Sequence, residues 1–149
     1  MLRSIVSLLF ALAIGIVGPA YGQEEPKFNV YLTNEVEEGY PTQKQMTEFS
    51  CSDRIYIVIE ALGLSSEDHQ MTVSWRDPTD AQQELTNYTF KGQDYNRIWA
   101  WLQLSGPPGA VFGQIFDPSF GMEDFIGEWR AIVSLNRKKL AELPFNVLC

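Results

Sequence analysis

The sequence is poor in the residues that most active-site chemistry requires. It has one histidine and two cysteines among 149 residues, and 11 basic against 19 acidic side chains give a formal net charge of −8. This balance disfavours nucleic acids and anionic membrane surfaces as partners, because both are bound by clustered lysine and arginine. A single imidazole falls short of the roughly three or four ligands of a zinc site. With no Gly-x-Ser-x-Gly turn, Cys-x-x-Cys pair or glycine-rich phosphate loop, the sequence predicts neither an enzyme nor a cofactor.

The longest apolar run is close to the start of the sequence and is too short to span a bilayer. It covers residues 5–18, whereas a membrane-spanning helix needs roughly 20 apolar residues. Arg3 precedes this run, and Ala20-Tyr21-Gly22 places small residues at a cleavage site. We therefore expect residues 1–22 to be a cleavable signal peptide, with an uncleaved anchor as the alternative. Residues 23–149 are then expected to form one periplasmic or secreted domain.

Export allows the two cysteines to pair. In an oxidising compartment Cys51 and Cys149 have only one intramolecular connectivity. Such a bond would close a loop of about 98 residues, and the chain-entropy estimate for that length is as much as about 4–5 kcal/mol. The two residues form no redox motif, so the sequence predicts a structural disulfide, with an intermolecular bridge as the alternative.

Apolar and polar residues alternate with a period of two along much of the chain, which predicts β-strands with one buried face. The clearest examples are the isoleucines of residues 53–62 and the series Met71, Val73 and Trp75. Six such segments begin near Phe28, Asp53, Met71, Gln82, Asn96 and Trp129, and a seventh, which contains Leu143, follows the turn at Asn136-Arg137. Turn residues separate them, so the sequence predicts an all-β fold, an antiparallel β-sandwich of about seven strands. Only residues 123–126 favour a helical turn.

Four stretches resemble immunoglobulin-like domains of exported proteins. Gly127-Glu128-Trp129-Arg130-Ala131-Ile132-Val133, the turn at residues 136–140 and Phe145-Asn146-Val147 are similar to the closing hairpin of such domains. Residues 73–78 similarly resemble a mid-sandwich strand that runs into its turn. The resemblance implies an immunoglobulin-like β-sandwich and brings neither catalytic residues nor a ligand. Cys149 departs from the antibody pattern, in which the paired cysteines lie on facing central strands.

The segment at residues 105–126 is the strongest functional signal. It places 22 residues between two predicted strands, a length that is uncommon for a loop without secondary structure. Its apolar content is too high for a disordered linker. Two interpretations remain open: the segment extends the core over one end of the sandwich, or it forms an exposed aromatic surface with the tryptophans of the preceding strand. The predicted binding residues are Trp99, Trp101, Phe112, Phe116, Phe120, Met122 and Phe125.

The leading functional hypothesis is an exported, non-enzymatic binding or accessory module that recognises a protein partner through this surface. A carbohydrate-binding or small apolar ligand-binding module is the alternative, because the same aromatic side chains could stack on sugar faces. A hydrolase that uses Asp117 with Glu123 or Asp124 is a third hypothesis, based on their closeness in one loop. We expect a monomer, although the edge strands of a sandwich leave pairing with another chain open.

The single histidine and one glycosylation pattern are the remaining features of the sequence. His69 lies in a polar stretch before a predicted strand and is expected to be a solvated loop residue. Asn87-Tyr88-Thr89 fits the acceptor pattern for N-glycosylation, which has a consequence only in a host that glycosylates exported chains.

Overall fold

The computed structural model describes residues 24–105, 111–117 and 120–149. The predicted signal peptide, residues 1–22, lies outside the described residues. The strands of the described part are β1 (Lys27–Thr33), β2 (Val36–Glu37), β3 (Tyr40–Pro41), β4 (Glu48–Ser50), β5 (Arg54–Leu62), β6 (Asp68–Arg76), β7 (Gln82–Lys91), β8 (Tyr95–Gln103), β9 (Gly127–Leu135) and β10 (Lys138–Leu148). A short helix, α1 (Val111–Gln114), and a 3-10 turn (Glu123–Phe125) lie between β8 and β9.

The strands form an immunoglobulin-like β-sandwich, which confirms the predicted fold class. One sheet has the order β1-β5-β8 and the other has the order β4-β10-β9-β6-β7, while β2 and β3 form a separate hairpin. Pairing within the two main sheets is antiparallel except between β4 and β10, which run parallel with Phe49 opposite Val147. The seven long strands are those that the alternation predicts. The alternation missed β2, β3 and β4, because two or three residues are too few to show a period.

The core lies between the two sheets and consists of the inward-facing residues of the long strands other than β7, which has no buried residue. Trp75 on β6 and Trp129 on β9 are fully buried, and the ring centroid of each lies 6.1 Å from that of Phe145 on β10. Every second side chain of these strands therefore points into the space between the sheets, because successive side chains of a strand point to opposite faces. Other buried members of this core are Ile55, Ile57, Ile59, Met71, Val73, Ala131, Val133 and Val147.

The predicted disulfide between Cys51 and Cys149 is present, with 5.3 Å between the Cα atoms. It lies beside the pairing of β4 with β10, where the Cys51 N–H donates to the Leu148 carbonyl oxygen at 2.9 Å. Cys51 is buried, whereas Cys149 is exposed. Cys149 directly follows the last residue of β10.

The expectation that His69 is a solvated loop residue is wrong, because it lies buried on β6. The Asn136 side-chain oxygen accepts a hydrogen bond from the Gln70 N–H, which turns the Asn136 amide NH₂ towards His69 Nδ1 at 3.0 Å. His69 Nε2 lies 3.0 Å from the Ser65 carbonyl oxygen. A ring that accepts at Nδ1 and donates at Nε2 satisfies both contacts. The start of β6 at Asp68 was not recognised from the sequence, because the residues around His69 are polar.

Asp77 organises the turn between β6 and β7. Its buried carboxylate accepts hydrogen bonds from the Thr79 N–H at 2.9 Å, the Thr79 hydroxyl at 2.7 Å and the Ala81 N–H at 3.0 Å. The Gln83 amide is a further donor. Burial alone raises the pKa of the Asp77 carboxyl, but the hydrogen bonds from Thr79, Gln83 and Ala81 together outweigh it and lower the pKa below its ordinary value of 3.8.

Replacing Asp77 by asparagine is expected to lower the free energy of unfolding at pH 7 by about 1–3 kcal/mol, because the new amide NH₂ would face hydrogen-bond donors. A carboxyl whose folded pKa is depressed stabilises the protein above its unfolded pKa and loses this effect as the pH falls through the folded pKa. The difference between wild type and variant should therefore shrink below about pH 4. Urea denaturation between pH 7 and pH 2 measures it, with Asp68→Asn as an exposed control. A difference that does not change with pH would contradict the assignment.

Candidate functional site

The predicted aromatic loop divides into an exposed part and a buried part. Phe112, Ile115 and Phe116 have 80%, 67% and 90% of their surface exposed, and they lie on or directly after α1. Phe120 is half exposed. Met122, by contrast, is buried in the core. We call Phe112, Ile115 and Phe116 the apolar tip.

Backbone hydrogen bonds and one glycine hold the apolar tip in place. The N–H groups of Phe116 and Asp117 donate to the Gly113 carbonyl oxygen at 3.1 and 2.9 Å, and the Phe120 N–H donates to the Asp117 carbonyl oxygen at 3.0 Å. The Phe120 ring packs so closely on Gly113 that a Cβ at that position would lie 2.3 Å from Cδ1 of the ring. The exposed side chains therefore project from a locally packed segment.

The base of the loop is joined to the sandwich through Trp129. The indole N–H of Trp129 donates to the Phe125 carbonyl oxygen at 2.7 Å, and the two rings stack with their centroids 5.9 Å apart. The Phe125 N–H in turn donates to the Met122 carbonyl oxygen at 2.8 Å. Met122 and Phe125 therefore extend the core, whereas the apolar tip fits the interpretation as an exposed surface. Core extension therefore describes the base of the segment at residues 105–126, and an exposed surface describes its apolar tip.

Trp99 and Trp101 lie on the outer face of the three-stranded sheet, on the side of β8 away from the core. The guanidinium carbon of Arg54 lies 4.6 Å from the centroid of the half-exposed Trp101 ring, at cation–π distance. Trp99 is partly buried and makes an edge-on contact with Tyr40 of the β2–β3 hairpin, with centroids 5.6 Å apart. The described ring contacts of both tryptophans are thus with groups other than the apolar tip.

A charged network that the sequence analysis missed lies beside Trp99. The Arg97 guanidinium donates to the Tyr31 hydroxyl at 3.1 Å and to the Pro41 carbonyl oxygen at 2.7 Å, and its Nε lies 3.4 Å from the Glu60 carboxylate. The hydrogen bond to Tyr31 and the charge of Glu60 raise the pKa of Arg97. Burial and the Glu60 carboxylate raise the pKa of Tyr95. Glu60 and Arg97 pair across β5 and β8, and both lie at positions that alternate with the core-facing residues of their strands. That alternation is the sequence signal from which this ion pair could have been predicted.

A cleft of about 550 Å³ separates the edge strands β7 and β8. The cleft was not predicted from the sequence, although one of its lining residues, Trp99, is among the predicted binding residues. The even-numbered aromatic residues of β7, Tyr88 and Phe90, line one side. The full lining is Tyr88, Phe90, Lys91, Gln93, Asn96, Arg97, Ile98 and Trp99.

The remaining sequence-level hypotheses stay predictions. Asp117, Glu123 and Asp124 are all exposed, Glu123 and Asp124 on the 3-10 turn. Within the described residues no group of three or more His, Cys, Asp or Glu side chains could hold a metal ion. Among the described helices none is both long and apolar enough to cross a membrane. Asn87 is exposed on β7, where its side-chain oxygen accepts a hydrogen bond from the Thr72 hydroxyl at 2.9 Å.

Comparisons with known proteins return distant structural similarity only. No family model matches the chain, and no curated protein matches it in sequence. A β-glucosidase from Listeria innocua in complex with glucose is similar over 85% of this chain, at 11% identity and a TM-score of 0.46. The CARDB domain of a Pyrococcus furiosus protein, in complex with di-metal ions, is similar over 84%, at 7% identity and a TM-score of 0.44.

The two similar proteins differ in how much of them is matched. The chain spans 17% of the β-glucosidase and 90% of the CARDB domain. At such low identity and TM-score, neither protein's ligand nor activity transfers to this chain.

Proposed function

We propose that this chain is an exported, non-enzymatic binding module that recognises a protein partner through the apolar tip of the β8–β9 segment. The observation that carries the proposal is the exposure of Phe112, Ile115 and Phe116 on one packed loop. Three such side chains within five residues form an exposed apolar patch of the kind that marks interaction sites, and burying each would contribute roughly 1.5–3 kcal/mol. The disulfide supports an oxidising compartment, in the periplasm or outside the cell.

The charges around the apolar tip indicate the chemistry of the partner. Residues 105–126 contain three acidic side chains, Asp117, Glu123 and Asp124, and no basic one. All three carboxylates are exposed. The complementary surface is therefore an apolar pocket with lysine or arginine at its rim. A membrane with anionic headgroups fits less well, because the same carboxylates would be repelled.

A sugar is a weaker fit to the apolar tip than a protein is. Phe112, Ile115 and Phe116 have no side-chain hydrogen-bond donor or acceptor, whereas a carbohydrate site needs polar groups that fix the hydroxyls. The tip also projects outward, while small ligands are bound in concave sites. An apolar tip that inserts into a pocket of a partner protein satisfies both features.

Replacing Phe112 and Phe116 by serine is expected to weaken partner binding by at least about tenfold, since 1.4 kcal/mol of lost burial has that effect. Phe120 is left unchanged because its ring packs on Gly113. Crosslinking capture from the native extracytoplasmic fraction identifies the partner, and calorimetry with the purified partner measures the affinity. Leu62→Ser with Leu85→Ser, two exposed apolar residues on strands, is the matched control.

The binding result can be interpreted only if the variant with Phe112→Ser and Phe116→Ser folds. Because both rings are exposed, its circular dichroism and melting temperature should match those of the wild type. Equal affinity of wild type and variant for the partner would rule out the apolar tip as the binding surface. A loss shared by the Leu62 and Leu85 control would also rule it out, because binding would then follow general surface hydrophobicity.

A further inference from the structure

The five-stranded sheet has an edge strand that the other sheet does not cover. β7 ends the wider sheet and β8 ends the narrower one, and three residues, 92–94, connect them. Gly92 makes this tight crossing possible, because a Cβ there would lie 1.8 Å from the Ser65 carbonyl oxygen. Tyr88 shows the consequence. It pairs with Met71 and shares the inward phase of that buried residue, yet it is 52% exposed.

The space beside this uncovered face is the cleft between β7 and β8. The parallel rings of Tyr88 and Phe90, with centroids 6.2 Å apart, lie on its β7 side, and residues 97–99 line its β8 side. β8 pairs with β5 along one side only. Every second residue of an edge strand directs its N–H and C=O away from its neighbour, so the free edge of β8 offers a row of backbone donors and acceptors.

We propose that the cleft binds an extended segment of a partner protein as an added fourth strand on β8. The backbone of the segment pairs with the free edge of β8, and its alternate side chains pack on Tyr88 and Phe90. An added strand would give β7 the opposing layer that it lacks. The proposal does not depend on the function proposed for the apolar tip, which follows the other end of β8.

The charges of the cleft specify one further feature of the segment. Its charged lining residues are Lys91 and Arg97, and the described lining contains no acidic side chain, although the whole protein has a net charge of −8. Arg97 is engaged with Tyr31, Pro41 and Glu60. Lys91 and Asp68 form an exposed ion pair with 3.8 Å between Nζ and the carboxylate, and the Lys91 side chain, 71% exposed, keeps donors for a second carboxylate. The segment therefore carries a carboxylate beside Lys91, at one end of its apolar residues.

The test uses the protein without its predicted signal peptide, residues 23–149, and a panel of capped ten-residue peptides. In these peptides Val, Ile or Phe alternates with Thr, and one end carries Glu. Binding should slow hydrogen exchange at every second amide of β8 by at least about tenfold and leave the apolar tip unchanged. Peptides with proline at alternate positions should not do so, because they lack the N–H groups that a strand needs.

Two variants on β7 distinguish binding in the cleft from nonspecific binding to the exposed strand. Tyr88→Ser on the inward face should weaken the best peptide at least about tenfold. Leu85→Ser, at a similarly exposed position on the outward face, should leave the affinity unchanged. Lys91→Glu should discriminate against the peptides that carry Glu. Melting temperatures establish that each variant is folded.

The proposal would be overturned by no protection of β8 with any peptide or by equal protection with the proline peptides. Equal loss in the Tyr88 and Leu85 variants, or protection of β8 by self-association at raised protein concentration, would overturn it too. Binding of neutral or uronic oligosaccharides in the cleft without peptide binding would also overturn it and assign the aromatic lining to sugars instead. Failure of this test leaves the apolar tip unaffected, because no residue of the tip is changed.

Discussion

A protein in which Cys51 and Cys149 are both replaced by serine is expected to lose as much as about 4–5 kcal/mol of unfolding free energy. The disulfide closes a loop of 98 residues, and opening it restores that conformational freedom to the unfolded chain. The loss is large compared with the roughly 5–15 kcal/mol that stabilises a typical domain. Urea denaturation of the oxidised wild type and the double variant measures the difference.

Reduction provides the matched control for this prediction. Wild-type protein unfolded in the presence of a reductant should behave like the double serine variant, because both lack the same cross-link. A double variant within about 1 kcal/mol of the oxidised wild type would show that the bond contributes little to stability, as happens when the unfolded chain is already compact.

Replacing Trp129 by alanine is expected to cost about 3–5 kcal/mol, the usual range for removing a large aromatic side chain from a core. Trp129 is fully buried between the rings of Phe125 and Phe145. Its N–H also ties the base of the β8–β9 loop to the sandwich. Thermal and chemical denaturation measure the loss of stability.

Trp129→Phe separates packing from the hydrogen bond. Phenylalanine keeps an aromatic ring but cannot donate to the Phe125 carbonyl oxygen, so this variant should be more stable than the alanine variant and should show faster hydrogen exchange at residues 122–125. Equal stability of the two variants, or unchanged exchange in Trp129→Phe, would contradict the role given to this residue.

The long strands were predictable because each has at least seven residues with alternating side chains, as Met71, Val73 and Trp75 illustrate on β6, although β7 has no buried residue. That length is enough for a period of two to appear. The width of each sheet was not predictable, since it depends on which strands pair across the whole fold. Tyr88 has the same alternation as a core residue and is nevertheless half exposed, because no strand of the other sheet lies opposite it.

The candidate site was predictable as a segment but not residue by residue. Phe112, Phe116 and Phe125 are the same residue type in one loop, and their spacing contains no period that separates exposed from buried positions. The two parts differ in their packing: Phe125 stacks on the core residue Trp129 and accepts its indole hydrogen bond, whereas Phe112 and Phe116 are exposed. The cleft was missed for a similar reason, since its two sides come from different sheets.

The parallel pairing of β4 with β10 has a kinetic consequence. Phe49 and Val147 lie opposite each other, and the cysteines beside them are 98 residues apart. On a ribosome or during translocation, β4 emerges long before the strand that it pairs with. Contacts between such distant residues slow folding, because the chain loses loop entropy before the pairing forms. We therefore expect this corner of the sandwich to assemble last, with the Cys51 thiol open to mispairing or to an oxidoreductase until β10 arrives.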